Sequence, residues 1–311
     1  MKFPNRINIC EVGPRDGLQN EKKILTTDEK VELINRTIEA GYKIIEVGSL
    51  VHPKAIPALA DTEAVYAKIN KPEDVEFRVL ITNLKGVERA INAGIKKVKL
   101  TVSASESHNM SNFNRKTQET IDQFESCITL AKENNIEVSA AISTSFGCPF
   151  EGYISMETLK PIIDRFIALG ITEISLSDTT GMAHPKDVSE KCAYVLEHYP
   201  QIKWNLHLHN TRDLGLSNVI AAMDAGIVNF DACFSGIGGC PYAPGASGNI
   251  CSEDLIHMCE NMGIETGIDI DKAINLARRV GEFLGHPTES YMIKAGKISD
   301  LTLEKPTKQQ N

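Results

Sequence analysis

Short β-branched runs alternate with amphipathic stretches along the whole chain. The stretch at residues 27–40 carries apolar residues at helical spacing, and Gly41 follows it as a stop signal. Its apolar face includes Val31, Ile34 and Ile38. This order predicts a helix between two strands. Eight runs predict strands, at residues 7–12, 43–49, 77–82, 97–103, 137–143, 172–177, 203–209 and 229–235.

A short sequence motif between these elements repeats. An Ala-Gly pair before a β-branched run recurs at residues 93–95 and 225–227, with a variant at 169–171. Eight strand–helix units predict a closed parallel (β/α)8 TIM barrel rather than an open doubly wound sheet, because the pattern never pauses for a change of direction. We predict one catalytic domain over residues 1–311. Its parts are a barrel at about 5–252, helices at 253–263 and 271–284 within a C-terminal region of about 253–300, and a polar tail at 301–311.

Composition and charge narrow the class of partner. The 311 residues include 33 basic and 41 acidic side chains, a net charge of −8. This balance argues against a general nucleic-acid or anionic-membrane surface. No apolar stretch reaches the ~18 residues that suggest a membrane span, and the first residues lack a signal-peptide apolar region. We therefore expect a cytoplasmic protein. Its eight cysteines indicate mostly reduced, buried fillers.

Polar side chains collect at the carboxyl ends of the predicted strands, where barrel enzymes place their active sites. Burying so many of them together would be costly without a paired ligand or metal, so a site is expected there. In strand order they are Arg15 and Asp16, Glu46, Asn83, residues 103–106, residues 177–179 including Asp178, His207 and His209, and Ser235.

His207 and His209 lie two residues apart on one predicted strand, so both imidazoles face the same side. Alone, the pair is equally compatible with a metal site and with an ordinary strand. Asp16 adds a carboxylate, and Asn249 adds an amide oxygen from the loop after the eighth strand. A set of one carboxylate, two imidazoles and an amide, without thiolate, suits Mg²⁺ or Mn²⁺ better than structural Zn²⁺.

Two further features indicate chemistry on a carbonyl compound. The permanent, forked charge of Arg15 is suited to hold a carbonyl or enolate oxygen, and the alternative is a salt bridge to Glu46 or Asp178. Residues 235–249 contain five glycines and two prolines, so they predict an irregular loop that can close as a lid. Cys240 at its centre could deliver a proton to a carbanion. The alternative is a surface turn with an incidental cysteine.

These residues belong to longer motifs that resemble one enzyme family. The motifs are Arg-Asp-Gly-Leu-Gln-Asn-Glu (15–21), Thr-Asn-Leu-Lys-Gly (82–86), Gly-Cys-Pro-Phe-Glu-Gly (147–152), Ser-Asp-Thr-Thr-Gly (177–181), His-Leu-His (207–209) and Gly-Gly-Cys-Pro-Tyr-Ala-Pro-Gly-Ala-Ser-Gly-Asn (238–249). From about residue 7 to residue 285 the chain resembles the 3-hydroxy-3-methylglutaryl-CoA (HMG-CoA) lyases. The long glycine-rich loop is the most specific of these motifs.

The resemblance implies a TIM-barrel metallolyase that cleaves HMG-CoA to acetyl-CoA and acetoacetate. It implies that Arg15 stabilises the acetyl-CoA enolate and that Cys240 belongs to the active-site lid. Glu46 and Asp178 would line the site and help to position groups. The general base stays open among Glu46, Asp16 and a histidine. The implied ligands of the divalent metal are Asp16, His207, His209 and Asn249.

Three places depart from the lyase pattern. Asn210 stands where the lyases carry Asp, and the stretch that follows partly resembles the related Claisen-condensing synthases. Ala141 stands where some lyases carry a tyrosine, and Gly48 also differs. Gly48 and Ala141 predict a reshaped acyl pocket. The alternatives are therefore the same cleavage of another 3-hydroxy-dicarboxylyl-CoA, a condensing acyltransferase of the isopropylmalate or homocitrate synthase type, and a metal-binding scaffold without catalysis.

Coenzyme A requires partners for its phosphates at the rim of the site. Three lysines are available, Lys22, Lys23 and Lys85, and we take Lys22 as the predicted contact. The expected partner is thus a small acyl-CoA substrate, with no nucleic acid and no membrane. A homodimer is also expected, because barrels often pair and the helices after residue 253 could cover a partner.

Overall fold

Eight strands close a parallel barrel in the computed structural model, which describes residues 1–238 and 248–300. Each strand pairs with its neighbours in parallel, and β1 closes the ring by pairing with both β2 and β10. The predicted (β/α)8 barrel is confirmed. In chain order the strands are β1 (Asn8–Glu11), β2 (Ile44–Ser49), β3 (Glu76–Ile81), β4 (Lys97–Ser103), β5 (Glu137–Ser143), β6 (Gly147–Cys148), β7 (Gly152–Tyr153), β8 (Glu173–Asp178), β9 (Lys203–Leu208) and β10 (Asn229–Ala232).

Three of these strands differ from the prediction. The short strands β6 and β7 form a separate antiparallel hairpin that the sequence pattern did not predict. The eighth barrel strand ends at Ala232 rather than at residue 235, because a 3-10 turn follows at Phe234–Gly236. Ser235 in that turn has a φ of 62°, in the left-handed region that a strand cannot contain. The other seven barrel strands begin and end within one residue of their predicted bounds.

Helices follow the strands and surround the barrel. The helix predicted at 27–40 is α1, and its capping box of Thr26 with Glu29 fixes where it begins. The two helices predicted after the barrel are present as α9 and α10. None of the described helices is both long and apolar enough to cross a membrane. The helices are α1 (Thr27–Glu39), α2 (Thr62–Lys68), α3 (Leu84–Ala93), α4 (Glu106–Phe113), α5 (Thr117–Glu133), α6 (Met156–Ala168), α7 (Pro185–His198), α8 (Gly215–Ala225), α9 (Ser252–Asn261), α10 (Ile270–Leu284) and α11 (Tyr291–Ala295).

The apolar core lies between the barrel and its helices, whereas the barrel interior is polar. In β4, Val98, Leu100 and Val102 are fully buried in the core that the helices cover. The alternate residues Lys97 and Lys99 are on the opposite, inward face of the strand and are also buried. A strand buried on both faces is normally a continuous apolar run. Here the alternation instead fills the barrel with charged and hydrogen-bonding groups.

The amino-terminal end of the barrel is closed by ion pairs. Arg78 Nη1 lies 2.8 Å from Glu173 Oε1, and Lys97 Nζ lies 2.8 Å from Glu173 Oε2. Lys97 also lies 2.9 Å from Glu76, and Lys203 lies 3.2 Å from Glu173. Each charged group therefore has opposite charges around it.

The prediction of one domain over 1–311 stays a prediction, and the tail at 301–311 lies outside the described residues.

Candidate active site and metal centre

A tight turn after β1 carries Arg15 and Asp16 to the carboxyl-terminal mouth of the barrel. The turn, Gly13–Gly17, is π-helical, a form often found at functional sites. Glycine is needed at its start, because a Cβ on Gly13 would lie 2.6 Å from the ring of Phe234. The Gly-Pro-Arg-Asp-Gly sequence therefore lets the turn pack closely against the loop after β10.

The histidine pair and Asn249 are joined through the backbone. His207 belongs to β9, and His209 lies just beyond it in an isolated antiparallel bridge with Asn249. The Asn210 amide donates to the Gly248 carbonyl at 2.9 Å, which continues this pairing. The loop after β10 thus returns to the end of β9 and places Asn249 next to His209.

Three of the predicted ligands converge on one point. The Nε2 atoms of His207 and His209 lie 3.1 Å apart, and Asp16 Oδ2 lies 3.7 Å from the first and 3.6 Å from the second. All three side chains are buried. The Nδ2 atom of Asn249 donates to Asp16 Oδ2 at 2.8 Å, so the fourth predicted ligand lies at the same point.

These residues fit a divalent cation. The Nδ1 atom of His207 lies 3.2 Å from Asp231 Oδ2, an arrangement that holds the proton there and turns the Nε2 lone pair toward Asp16. The buried Oδ1 of Asn249 has no hydrogen-bond partner in the described residues. An unpaired buried oxygen costs ~1–3 kcal/mol, and a cation would supply its partner. A donor set of oxygen and imidazole nitrogen suits Mg²⁺ or Mn²⁺.

The charges around the cluster keep its ligands in the form that binds metal. Burial would raise the pKa of Asp16, but the Arg15 guanidinium, with smaller contributions from the two histidine side chains, holds that pKa well below its ordinary value. Burial lowers the pKa of His209, so its ring is neutral near pH 7. A carboxylate and a neutral imidazole are therefore both available at neutral pH.

Arg15 makes the salt bridge to Glu46 that was one of its two predicted roles, and it also contacts Asp16. It still lines the cavity. A guanidinium has five N–H donors, so these contacts leave donors for a ligand. Glu46 is fully buried beneath Arg15, and its Oε2 lies 2.7 Å from Lys99 Nζ. Glu46 therefore holds Arg15 in place rather than facing the cavity.

Asp178 lies apart from the other predicted residues. It follows Ser177 on β8 and lies on the opposite face of the strand, toward the helices. Its Oδ1 accepts from the Met182 and Ala183 amides at 2.8 and 3.1 Å, and burial raises its pKa to about 6. Asp178 does not line the cavity, so only its predicted positioning role agrees with this place, through the loop after β8.

A cavity of about 390 Å³ opens beside the cluster. Ala141 forms part of its wall, where a tyrosine would project into the space, which agrees with the predicted reshaping of the pocket. Gly48 does not agree with that prediction, because a Cβ on Gly48 would lie 2.5 Å from Thr62 of α2, away from the cavity. The wall combines apolar with hydroxyl groups, among them Val51, Ile56, Leu80, Thr82, Thr101, Ser143, Ser177 and Thr179.

Sequence reasoning missed three residues at this cavity. Asp231 lies behind His207, and Lys99 lies 3.2 Å from Asp231. His108 lines the cavity, and its Nδ1 lies 3.0 Å from Ser103 Oγ. A charged residue on the inward face of a predicted barrel strand was the available signal for Lys99 and Asp231. His108 carried no such signal, because it lies on α4 rather than at a strand end.

The remaining predicted residues lie at the rim or beyond the described ranges. Lys23 donates to the Phe283 carbonyl and Lys85 lies 2.9 Å from Glu88, whereas Lys22 is exposed and pairs with no described acidic residue. Lys22 as the coenzyme A contact stays a prediction. Cys240 and residues 239–247 lie outside the described residues, so the predicted lid is not described either.

A family model decides the enzyme class. The model of the HMGL-like family matches residues 6–280. The chain belongs to the HMGL-like family. As a member of this family, the chain is a carbon–carbon lyase. The lyases of the family depend on a divalent metal, and Asp16, His207 and His209 form a candidate site for that metal.

Individual relatives cover nearly the whole chain. The hydroxymethylglutaryl-CoA lyase YngG of Bacillus subtilis is 38% identical, over 96% of this chain and 100% of its own. An (R)-citramalyl-CoA lyase of Chloroflexus aurantiacus is 39% identical, over 94% and 95%. A solved HMG-CoA lyase from Acinetobacter baumannii, in complex with coenzyme A and 3-methylmalate, is 43% identical with a TM-score of 0.93, over 98% and 100%. These relatives are named as lyases, which favours cleavage over condensation.

Proposed function

We propose that this lyase cleaves HMG-CoA to acetyl-CoA and acetoacetate. Asp16, His207, His209 and Asn249 would hold Mg²⁺ or Mn²⁺, and Arg15 would act on the thioester. One observation carries the proposal: one oxygen of the carboxylate and the Nε2 atoms of both imidazoles lie within 3.7 Å of each other at the mouth of the barrel, beside Arg15. The mouth is where barrel enzymes carry out their chemistry.

Retro-Claisen cleavage needs a base for the proton of the tertiary hydroxyl. A divalent cation bound here would polarise the substrate oxygens and lower the pKa of that hydroxyl. Glu46 is enclosed by Arg15 and Lys99 and does not reach the cavity. Asp16 and the histidines line the cavity, which favours them over Glu46 as the base.

Cleavage of the carbon–carbon bond leaves negative charge on the thioester oxygen. Arg15 lines the cavity beside Asp16, and Glu46 behind it fixes the direction of its guanidinium. A fixed cation in a site closed to water stabilises such an enolate without reorganising during the reaction. The enolate carbon then takes a proton, for which Cys240 stays the donor predicted from sequence.

The charge of the site favours an acyl group that carries its own carboxylate. Three carboxylates, of Asp16, Glu46 and Asp231, lie against two cations. The cations are Arg15 and Lys99, so the site carries one net negative charge when the histidines are neutral. A divalent cation changes this to one net positive charge, which a substrate with one free carboxylate balances.

A second candidate substrate is citramalyl-CoA, which is one carbon shorter and carries its carboxylate on the hydroxyl-bearing carbon. A relative 39% identical is named as a lyase of this compound. Ala141 in the cavity wall, in place of a bulky tyrosine, also changes the space around the acyl group. The chemistry is the same, but the second product is pyruvate rather than acetoacetate.

The test is an assay with Mg²⁺ or Mn²⁺ and a panel of 3-hydroxy-dicarboxylyl-CoA thioesters. Acetoacetate and pyruvate are measured beside acetyl-CoA. We expect HMG-CoA to give the highest kcat/KM, with stoichiometric acetoacetate. Turnover of citramalyl-CoA without turnover of HMG-CoA would establish the second candidate. Cleavage of none of the thioesters, by protein that binds Mn²⁺, would overturn both.

A further inference from the structure

Lys99 lies between two parts of the site, the candidate metal ligands and Arg15. It is on β4 at the floor of the cavity, and only 2% of the residue is exposed. Its Nζ lies 2.7 Å from Glu46 Oε2 and 3.2 Å from Asp231 Oδ2. An ammonium has three donors, so one lysine can serve both carboxylates at once.

Each of these carboxylates orients one group of the site. Glu46 contacts Nε of Arg15. Asp231 Oδ2 lies 3.2 Å from Nδ1 of His207, and its other oxygen accepts from Asn205 at 2.9 Å. Since a carboxylate on the second ring nitrogen fixes the orientation of a metal-binding histidine, Asp231 sets how His207 faces Asp16.

We propose that Lys99 is a positioning residue that couples the metal-binding half of the site to the half that holds the enolate. The role of Arg15 in this coupling rests on the function proposed above, whereas the link through Asp231 to His207 concerns the cation site alone. Without the ammonium, two buried carboxylates lose their shared counter-charge, so neither keeps its place against its partner.

The same strand provides a matched control. Lys97 lies two residues before Lys99 on the same inward face of β4 and is also buried. Its Nζ also lies close to two carboxylates, at 2.9 Å from Glu76 and 2.8 Å from Glu173, and a third, of Glu137, lies 3.7 Å away. The two lysines therefore differ in which end of the barrel they serve.

The experiment compares Lys99→Met with Lys97→Met. The affinity for Mn²⁺ is measured without substrate by electron paramagnetic resonance of the free ion, and kcat, KM and Tm are measured beside it. We expect both variants to have a lower Tm. Lys99→Met should also bind Mn²⁺ about 10- to 100-fold more weakly, the scale for loss of an outer-sphere partner, with a lower kcat. Lys97→Met should bind Mn²⁺ as the wild type does.

Two results would overturn the proposal: wild-type Mn²⁺ affinity in Lys99→Met, or an equal loss in both lysine variants. If Lys99→Met does not fold, two milder variants replace it. Asp231→Asn should weaken Mn²⁺ binding, whereas Glu46→Gln should lower kcat and leave Mn²⁺ affinity unchanged. Equal effects of both on Mn²⁺ affinity would contradict two separate links. Because Mn²⁺ binding needs no thioester, a wrong substrate assignment leaves this comparison intact.

Discussion

The two ends of the barrel both bury charged groups, but they satisfy them differently. At the amino-terminal end, Arg78 and Lys97 share Glu173 at 2.8 Å each, so these charged groups are paired with one another. At the carboxyl-terminal end, the buried atoms Asn249 Oδ1 and His209 Nδ1 have no hydrogen-bond partner among described residues. Buried polar groups are nearly always paired in native proteins. The unpaired atoms therefore indicate the end that is built to bind.

This difference is one of arrangement rather than of residue type. Each end contains a buried arginine and a buried lysine beside carboxylates: Arg78 and Lys97 at one, Arg15 and Lys99 at the other. In barrel enzymes the first end serves stability and the second serves catalysis. Substitutions at the two ends should consequently affect different measured quantities.

The sharpest test of the contrast is removal of a carboxylate from each end. Asp16→Ala should lower metal-dependent turnover by about 10³-fold or more, because several kcal/mol of charge stabilisation depend on the bound cation. Mn²⁺ binding should also be lost. The matched control, Glu76→Gln, should keep turnover and Mn²⁺ affinity while its Tm falls. Metal-dependent turnover in Asp16→Ala close to that of the wild type would contradict the assigned ligand.

Arg15→Met separates metal binding from enolate stabilisation at the carboxyl-terminal end of the barrel. We expect kcat to fall by ~10²–10³-fold, the scale for one charge-stabilising donor. The affinity for Mn²⁺ should stay near that of the wild type, since no predicted ligand is removed. Rapid-quench turnover with a parallel Mn²⁺ titration measures both quantities. Near-normal kcat would show that Arg15 serves only as a salt-bridge partner.

Glu173→Gln tests the structural end through pH. Burial would raise the pKa of Glu173, but Arg78 and Lys97 lower it to about 2, below its ordinary value of 4.5. As the pH falls, Glu173 therefore takes up its proton at a higher pH in the unfolded chain than in the folded protein. The stabilisation is complete above about pH 4.5 and is lost as the pH falls toward about 2. It is worth about 3 kcal/mol, at ~1.4 kcal/mol per pKa unit.

Urea unfolding of wild type and Glu173→Gln from pH 7 down to pH 3 measures this effect. The wild type should be more stable at pH 7, and the difference in free energy of unfolding should shrink as the pH falls. Mn²⁺ affinity should be equal in both proteins throughout the range in which they are folded. A difference that does not change with pH would mean that Glu173 stabilises the barrel by packing alone.

The sequence predicted most of this architecture because the outward faces of the strands follow a regular period. Residues such as Val98 and Leu100 must be apolar to pack under the helices, and this constraint is visible one residue at a time. The convergence of the three candidate metal ligands was predictable for a related reason. Asp16, His207 and His209 all lie at strand ends, and parallel strands bring their ends together at one rim.

The residues behind the ligands could not be predicted in the same way. Lys99 and Asp231 belong to strands that are not neighbours in the barrel, so their 3.2 Å contact depends on closure of the ring. Asp178 shows a signal that was present but unused. Ser177 on β8 and Thr179 just after it both line the cavity, and the alternation of side chains places Asp178 between them on the outer face.

At the rim of the carboxyl-terminal end, Lys22 is the predicted contact for the phosphates of coenzyme A. Lys22 is exposed there and pairs with no described acidic residue, whereas Lys85 is 2.9 Å from Glu88. An exposed charge pair is worth ~0.2–1 kcal/mol, so Lys22→Ala should raise KM for the acyl-CoA by up to about fivefold. The kcat should not change, because the contact is the same in ground state and transition state. Lys85→Ala should leave KM unchanged in the same steady-state assay at low salt, and the reverse order would move the phosphate contact from Lys22 to Lys85.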